Sequence, residues 1–339
     1  MTTKPLWMYL ALVVGTAAIA SPAAASPPVG TISPVTGNLA ATECINPEGL
    51  TIDLQGNLYT GSAAIAPTTH VCKFDHHGAF VKAVDIPAGP GGFAPLLGVH
   101  FEPPRTVFAL DFADTLVHPG TSNGRVLSVD MESEQVTTIA TGFSFPNGFA
   151  EDLEGNLYVA DSFQGTITRM RKDGSNKSVW SADPLLAGVT GAGLPIGANG
   201  IAFDTFFQHM YVSNTSRRLI VRIDVGPNWT AGAAEIFANG ATIDANQNTT
   251  KSLLGADGIA FDLFGNLYVA ANAANEIQVL SPSANLTARY ASPSLPMDTT
   301  ASLIFWGNQL FFTNLSLLDG GINSSVAVLQ TPLPGLPPL

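Results

Sequence analysis

The chain has 339 residues, 12% of them charged and 46% hydrophobic, with 33 Gly, 24 Pro and a formal charge of −12. So apolar and turn-rich a composition excludes a disordered chain and predicts a large core cut by many turns. The acidic balance argues against nucleic acid or an anionic membrane surface as a partner.

In chain order, the first feature is a leader. Lys4 precedes an apolar stretch over residues 6–20, and Ala23-Ala24-Ala25 supplies small residues for cleavage. This pattern predicts a secretory signal over residues 1–25, a mature chain from near Ser26, and an extracellular or periplasmic location. The stretch falls short of the roughly 18–20 apolar residues a membrane helix needs, and no later run reaches that length, so the mature protein is expected to carry no membrane span. Residues 29–34 then read as an isolated extended segment. Cys44 and Cys72 are the only cysteines. In an oxidising compartment a disulfide between them is the leading reading over two free thiols.

From residue 47 onward the sequence repeats. Pro47-Glu48-Gly49-Leu50 runs into Gly56-Asn57-Leu58-Tyr59, and Pro146-Asn147-Gly148-Phe149 into Gly155-Asn156-Leu157-Tyr158. Ala198-Asn199-Gly200-Ile201 leads to His209-Met210-Tyr211, and Ala256-Asp257-Gly258-Ile259 to Gly265-Asn266-Leu267-Tyr268. Weaker copies begin at Leu97-Gly98-Val99 and at Ala301-Ser302-Leu303. The residue before each repeated glycine is here termed the axial position. Its occupants are Glu48, Leu97, Asn147, Asn199, Asp257 and Ala301 or Ser302, at intervals of 44 to 58 residues.

Each copy reads as four short strands. In the third they fall at residues 148–152, 157–161, 166–170 and 177–182, joined by Gly/Asn/Asp turns typical of antiparallel hairpins. Six such repeats predict an all-β fold, a six-bladed β-propeller of four-stranded antiparallel blades around a central metal-binding channel. The sixth copy has one strand too few. Residues 29–34 are expected to supply it and close the ring, while the Pro-rich tail, 331–339, is expected not to pair.

In a propeller the first strands line the axis, so the axial residues converge. Glu48, Asn147, Asn199 and Asp257 then form an oxygen-only donor set, which selects a hard divalent cation over zinc or copper. Ca²⁺ suits a shell assembled from separate blades better than Mg²⁺, although another divalent cation stays open. The glycine after each axial residue removes a Cβ where chains crowd. Asn-Gly and Asp-Gly also occur as plain turn pairs, but Glu48-Gly49 is not one.

These motifs, Pro-Glu-Gly followed by Asn147-Gly148, Asn199-Gly200 and Asp257-Gly258, each with Phe/Ile-Ala-x-Asp or Leu-Tyr-Val, resemble the regucalcin (senescence marker protein) and gluconolactonase family. Its relatives include diisopropyl-fluorophosphatase and the paraoxonases. The resemblance spans residues 40–315. It implies a catalytic metal, usually calcium, and hydrolysis of a small lactone or ester. It also implies metal ligands at Glu48, Asn199 and Asp257, with Asn147 on metal or substrate. Asp257 is the implied catalytic base or nucleophile.

Two departures bear on substrate. Phe145 stands where gluconolactonase-type members commonly carry Arg, so a pocket mouth flanked by Phe143 and Phe145 would suit a sugar lactone poorly. His100, three residues after its axial position, meets Thr51, Ala150, Ala202 and Ala260 in other blades, and is a candidate for substrate contact or plain packing. Substrate selectivity is expected in the loops over one channel mouth, at 61–70, 113–120, 185–196 and 241–254. The competing reading is a non-catalytic extracellular binding propeller locked by a structural calcium.

Overall fold

A computed structural model describes residues 27–336, apart from 192, 293–294 and 318–319. The leader expected over residues 1–25 lies outside the described residues. No helix among the described residues is long and apolar enough to cross a membrane.

Six four-stranded antiparallel sheets follow one another around a ring. Blade 1 runs through Pro47–Ile52, Leu58–Ser62, Thr68–Phe74 and Phe80–Pro87. The inner strands of the next four blades are Leu96–Glu102, Pro146–Glu151, Ala198–Phe203 and Ala256–Phe261. Blade 6 has Thr300–Trp306 innermost, then Gln309–Asn314 and Ser325–Gln330. Its outer strand is Ile32–Pro34, from the segment expected to close the ring, paired through Ile32↔Leu329 and Pro34↔Ala327. Cys44 and Cys72 are joined by a disulfide that ties the incoming segment to the third strand of blade 1.

Between blades, apolar side chains form continuous cores, such as Tyr59, Val71, Leu96 and Val107 between blades 1 and 2. The turn after each inner strand has its own chemistry. Asp53 Oδ1 accepts from the N–H groups of Gln55 and Asn57 at 2.9 Å, and Asp53 Oδ2 from the Tyr59 hydroxyl at 2.9 Å. Asp152 repeats this with Glu154, Asn156 and Tyr158, and Asp262 with Phe264 and Asn266. The repeated Asp and Gly-Asn-Leu-Tyr are therefore one device: an acidic side chain closes the turn and, in blades 1 and 3, also accepts from a buried tyrosine.

The axial positions carry a second device. Every inner strand slips register at that point, between Pro47 and Leu50 in blade 1 and between Ala256 and Ile259 in blade 5. One extra residue forms a bulge that turns the axial side chain toward the channel. The following glycine then presses on the next blade. A Cβ on Gly148 would lie 2.3 Å from the Asn199 carbonyl oxygen, and one on Gly200 2.5 Å from that of Asp257. The same relation of Gly258 to the Ala301 carbonyl, at 2.5 Å, fixes Ala301 rather than Ser302 as the sixth axial residue.

The Pro-rich tail departs from expectation. Leu263 N–H donates to the Pro334 carbonyl at 2.9 Å, and Leu336 N–H to that of Phe261 at 2.9 Å. Proline lacks the donor but keeps its acceptor, and Gly335 has no Cβ to strike the Phe305 ring beneath it. The tail thus adds a short bridge, Asp262↔Gly335, at the turn side of blade 5.

Gly148→Ala should lower stability by roughly 1–3 kcal/mol, since backbone rather than a flexible side chain would have to move. A denaturation midpoint equal to that of the unaltered protein would contradict the packing described. Removing residues 27–36 should leave the edge of Ser325–Gln330 unpaired and give an aggregating product by size-exclusion chromatography.

Candidate metal centre

Glu48, Asn147, Asn199 and Asp257 come from the bulges of blades 1, 3, 4 and 5 and line one cavity of about 540 Å³ on the axis. All four are buried, at 4%, 5%, 4% and 7% exposure. Blades 2 and 6 contribute Leu97 and Ala301 instead, which pack with Ala63, Phe112, Phe145 and Leu315. Asn147, Asn199 and Asp257 come from consecutive blades, whereas Glu48 in blade 1 stands between the two apolar positions, Leu97 and Ala301.

Three of the four polar residues are held by the residue that directly follows the second strand of their own blade. Asn147 Nδ2 donates to Ser162 Oγ at 3.3 Å, and Asn199 Nδ2 to Thr215 Oγ1 at 3.0 Å. Asp257 Oδ2 accepts from Asn272 Nδ2 at 3.0 Å. Ser162 and Thr215 pass their own protons to the carbonyls of Ala198 and Ala256, stitching each blade to the next. In blade 1 the equivalent residue is Ala63, which has nothing to offer. Glu48 Oε2 is buried and has no hydrogen-bond partner among the described residues.

A carboxylate oxygen so placed is costly unless something positive meets it. Burial, and then the nearby charge of Asp257, push the Glu48 carboxyl well above its ordinary range. Burial lifts Asp257 to about 7, against hydrogen bonds from Asn272 and Asn199 that pull it down. The donor set fits a hard divalent cation: two carboxylates with raised proton affinity, two amides whose N–H groups are engaged by hydroxyls, and one orphaned oxygen. Glu48, Asn147, Asn199 and Asp257 would hold it.

A second acidic group is less suited. One ligand atom each from His100, Glu102 and Glu151 lie within 4.8 Å of one another. However, Lys172 Nζ already sits against both Glu102 and Glu151, 2.6 Å from the latter, and supplies the positive charge there. His100 Nε2 meets Glu151 Oε2 at 2.7 Å.

The residues expected to contact substrate fare differently. Asn147 and His100 both line the axial cavity. Phe145 lies beside the axial ring, stacked on Phe163 with centroids 4.5 Å apart and against Phe112 at 4.6 Å. Phe143 does not flank a mouth: it is 1% exposed, packed in the core between blades 2 and 3 under Lys177. It ends Val136–Phe143, the outermost strand of blade 2, and so lies away from the axis. The cavity also reaches the turns after the inner strands, where Leu153, Phe206 and Leu263 line it. That is the end opposite the loops 61–70, 113–120, 185–196 and 241–254. Sequence reasoning missed Ser162, Thr215 and Asn272, although their common offset from the second strand was a readable signal.

Residues 187–315 match the sequence model of the SMP-30/gluconolactonase/LRE-like region. The resemblance seen in the motifs is thereby borne out. No curated protein sequence matches significantly. Among solved structures, a luciferin-regenerating enzyme superposes with TM-score 0.64 at 15% identity, covering 91% of this chain and 98% of its own. Regucalcin from Agrobacterium tumefaciens, a calcium-binding protein, gives 0.61 at 16%, covering 85% and 91%. A candidate gluconolactonase gives 0.60 at 14%, covering 90% and 93%. At these identities the superpositions show the shared propeller fold.

With chelator present, stability should fall as pH rises from 5 to 8. The folded state holds protons on Glu48 and Asp257 that the unfolded chain releases near pH 4, so deprotonation at higher pH favours unfolding. Melting temperatures across that range test this, and Glu48→Gln should flatten the decline. A melting temperature that rises with pH would contradict the assignment.

Proposed function

We propose that this propeller is an exported hydrolase of small lactones or related esters that depends on a divalent cation, Ca²⁺ by preference, at Glu48, Asn147, Asn199 and Asp257. The observation that carries the reading is the buried, unpaired Glu48 Oε2 beside a second carboxylate and two amides. The family match over residues 187–315 supports the reaction class. The signal-like leader and the disulfide favour export.

A bound divalent cation would supply Lewis acidity toward an ester carbonyl and lower the pKa of a water molecule. The residues supply the rest. Asn147 and Asn199 have their amide nitrogens tied to Ser162 and Thr215, which leaves their carbonyl oxygens for the cavity. Asp257 is oriented by Asn272 and is the candidate general base. It would take a proton from water as the new C–O bond forms and return it to the alkoxide released when the ester bond breaks. Leu97, Ala301 and Phe145 belong to one buried apolar cluster beside these residues, and exclusion of water there would strengthen their electrostatic interactions.

The burial of the axial ring also suits a purely structural ion, since the four residues come from four blades. Two measurements separate the readings. Metal analysis of the purified protein should find about one calcium per chain, and hydrolysis of simple lactones and aryl esters should stop with chelator and return with calcium. Asp257→Asn should lower kcat by about 10²–10⁴-fold while calcium still binds, more weakly. Loss of thermal stability on chelation without turnover of any substrate would leave only the structural role.

A further inference from the structure

The axial cavity has a property that its polar ring does not require. Three residues beyond the ring, the channel wall is made by Ala150, Ala202, Ala260, Thr51 and Ile304, with His100 as its one titratable side chain. That histidine is occupied by Glu151. Small side chains here leave an apolar bore instead of filling it. Further out, the bore is lined by Phe203, Phe261, Phe305 and Leu336.

The rim is apolar as well. In blades 1, 3, 4 and 5 the turn after the inner strand is closed by Asp53, Asp152, Asp204 or Asp262, whose carboxylate accepts from the N–H groups of the residues that follow. In blades 1, 4 and 5 those turns present Leu54, Phe206 and Phe264, which are 59%, 67% and 71% exposed in the order Leu54, Phe264, Phe206. Phe206 both lines the bore and stands in solvent. Turn positions tolerate polar residues, as Gln55 and Glu154 show in blades 1 and 3. Exposed aromatic side chains around an apolar opening are the usual mark of a binding mouth. At about 540 Å³ the cavity falls in the range of roughly 300–1,000 Å³ typical of small-molecule sites.

We propose that this bore binds the aliphatic chain of an amphiphile that enters from the turn face, with its carboxyl or ester head toward the axial ring and its chain running out past Ala202 and Phe206. The shape and lining carry the chain, since an unbranched hydrocarbon gains from leaving water and asks for no hydrogen bonds. The polar end carries the head. Orientation of the head rests on the proposed hydrolase reading, whereas occupancy of the bore by a chain does not. Entry is from the face opposite the long loops, with Leu336 of the C-terminal tail forming part of the mouth.

The test uses dansyl-undecanoic acid, a fluorescent amphiphile that has no ester to hydrolyse, so binding is read whether or not the protein turns over any substrate. Titration into the full chain should give saturable, blue-shifted emission, displaced by decanoate at least ten-fold more effectively than by butyrate. Ala202→Phe, which fills the bore, should weaken binding ten-fold or more, and the exposed Phe206→Glu should weaken it at least three-fold. Melting temperatures verify that each variant is folded; if Ala202→Phe does not fold, Phe206→Glu decides alone. Unchanged affinity in a folded variant would overturn the proposal, as would equal displacement by decanoate and butyrate. Emission that tracks protein concentration rather than probe concentration would assign the rim to self-association and overturn it too.

Discussion

The six inner strands converge on the axis, and there the main chains come too close for ordinary side chains. Five of the six axial residues are followed by glycine, and each of those glycines faces the carbonyl oxygen of the next axial residue. Contact of this kind is cyclic: blade 1 leans on blade 2 through Gly49, and blade 5 on blade 6 through Gly258. At the seam, where Ser302 replaces glycine, Thr313 Oγ1 accepts from the Ser302 N–H and donates to the Glu48 carbonyl. Ser213 makes the same two bonds between Gly200 and Asp257. Hydroxyls on the second strands therefore satisfy the groups that the bulges leave unpaired.

The bulge that creates this crowding also creates the site. By spending one extra residue it breaks the alternation of the inner strand and turns the axial side chain inward. Four polar residues far apart in sequence are thus delivered, buried, to one small volume. Such a volume penalises charge, and two of the four are carboxyls. The surrounding hydroxyls and Asn272 relieve the amides and Asp257 but leave Glu48 Oε2 without a partner among the described residues. Loss of stability there is the expected counterpart of a centre built for a ligand.

Below the ring the same fold gives a different environment. Four of the six positions three residues further on carry Ala or Thr, so the channel stays open, and the polar contact of His100 is absorbed by the Glu151–Lys172–Glu102 chain. Charge is thereby settled within the wall of blades 2 and 3. The rest of the bore is mainly hydrocarbon, with Thr205 and the His209-bound carboxylate of Asp204 at its outer end.

Much of this was written in the chain. Periodic Gly-Asn-Leu-Tyr elements with Asp ahead of them set the strand–turn–strand unit, because an acidic side chain accepts from the turn's N–H groups and glycine readily adopts the positive φ the turn needs. The residue before each repeated glycine marked the axial set, and the missing strand of the sixth repeat pointed to Ile32–Pro34. Tertiary structure alone decided which groups compensate one another, since Ser162, Thr215 and Asn272 matter only once the second strand lies beside the axis. It also decided that Phe143 faces a core while Phe145 faces the ring, that the tail pairs through carbonyls its prolines still offer, and that the cavity extends to the turn face. Sequence repeats report local geometry, whereas burial and orientation depend on how blades press together, and that information is held by no single repeat.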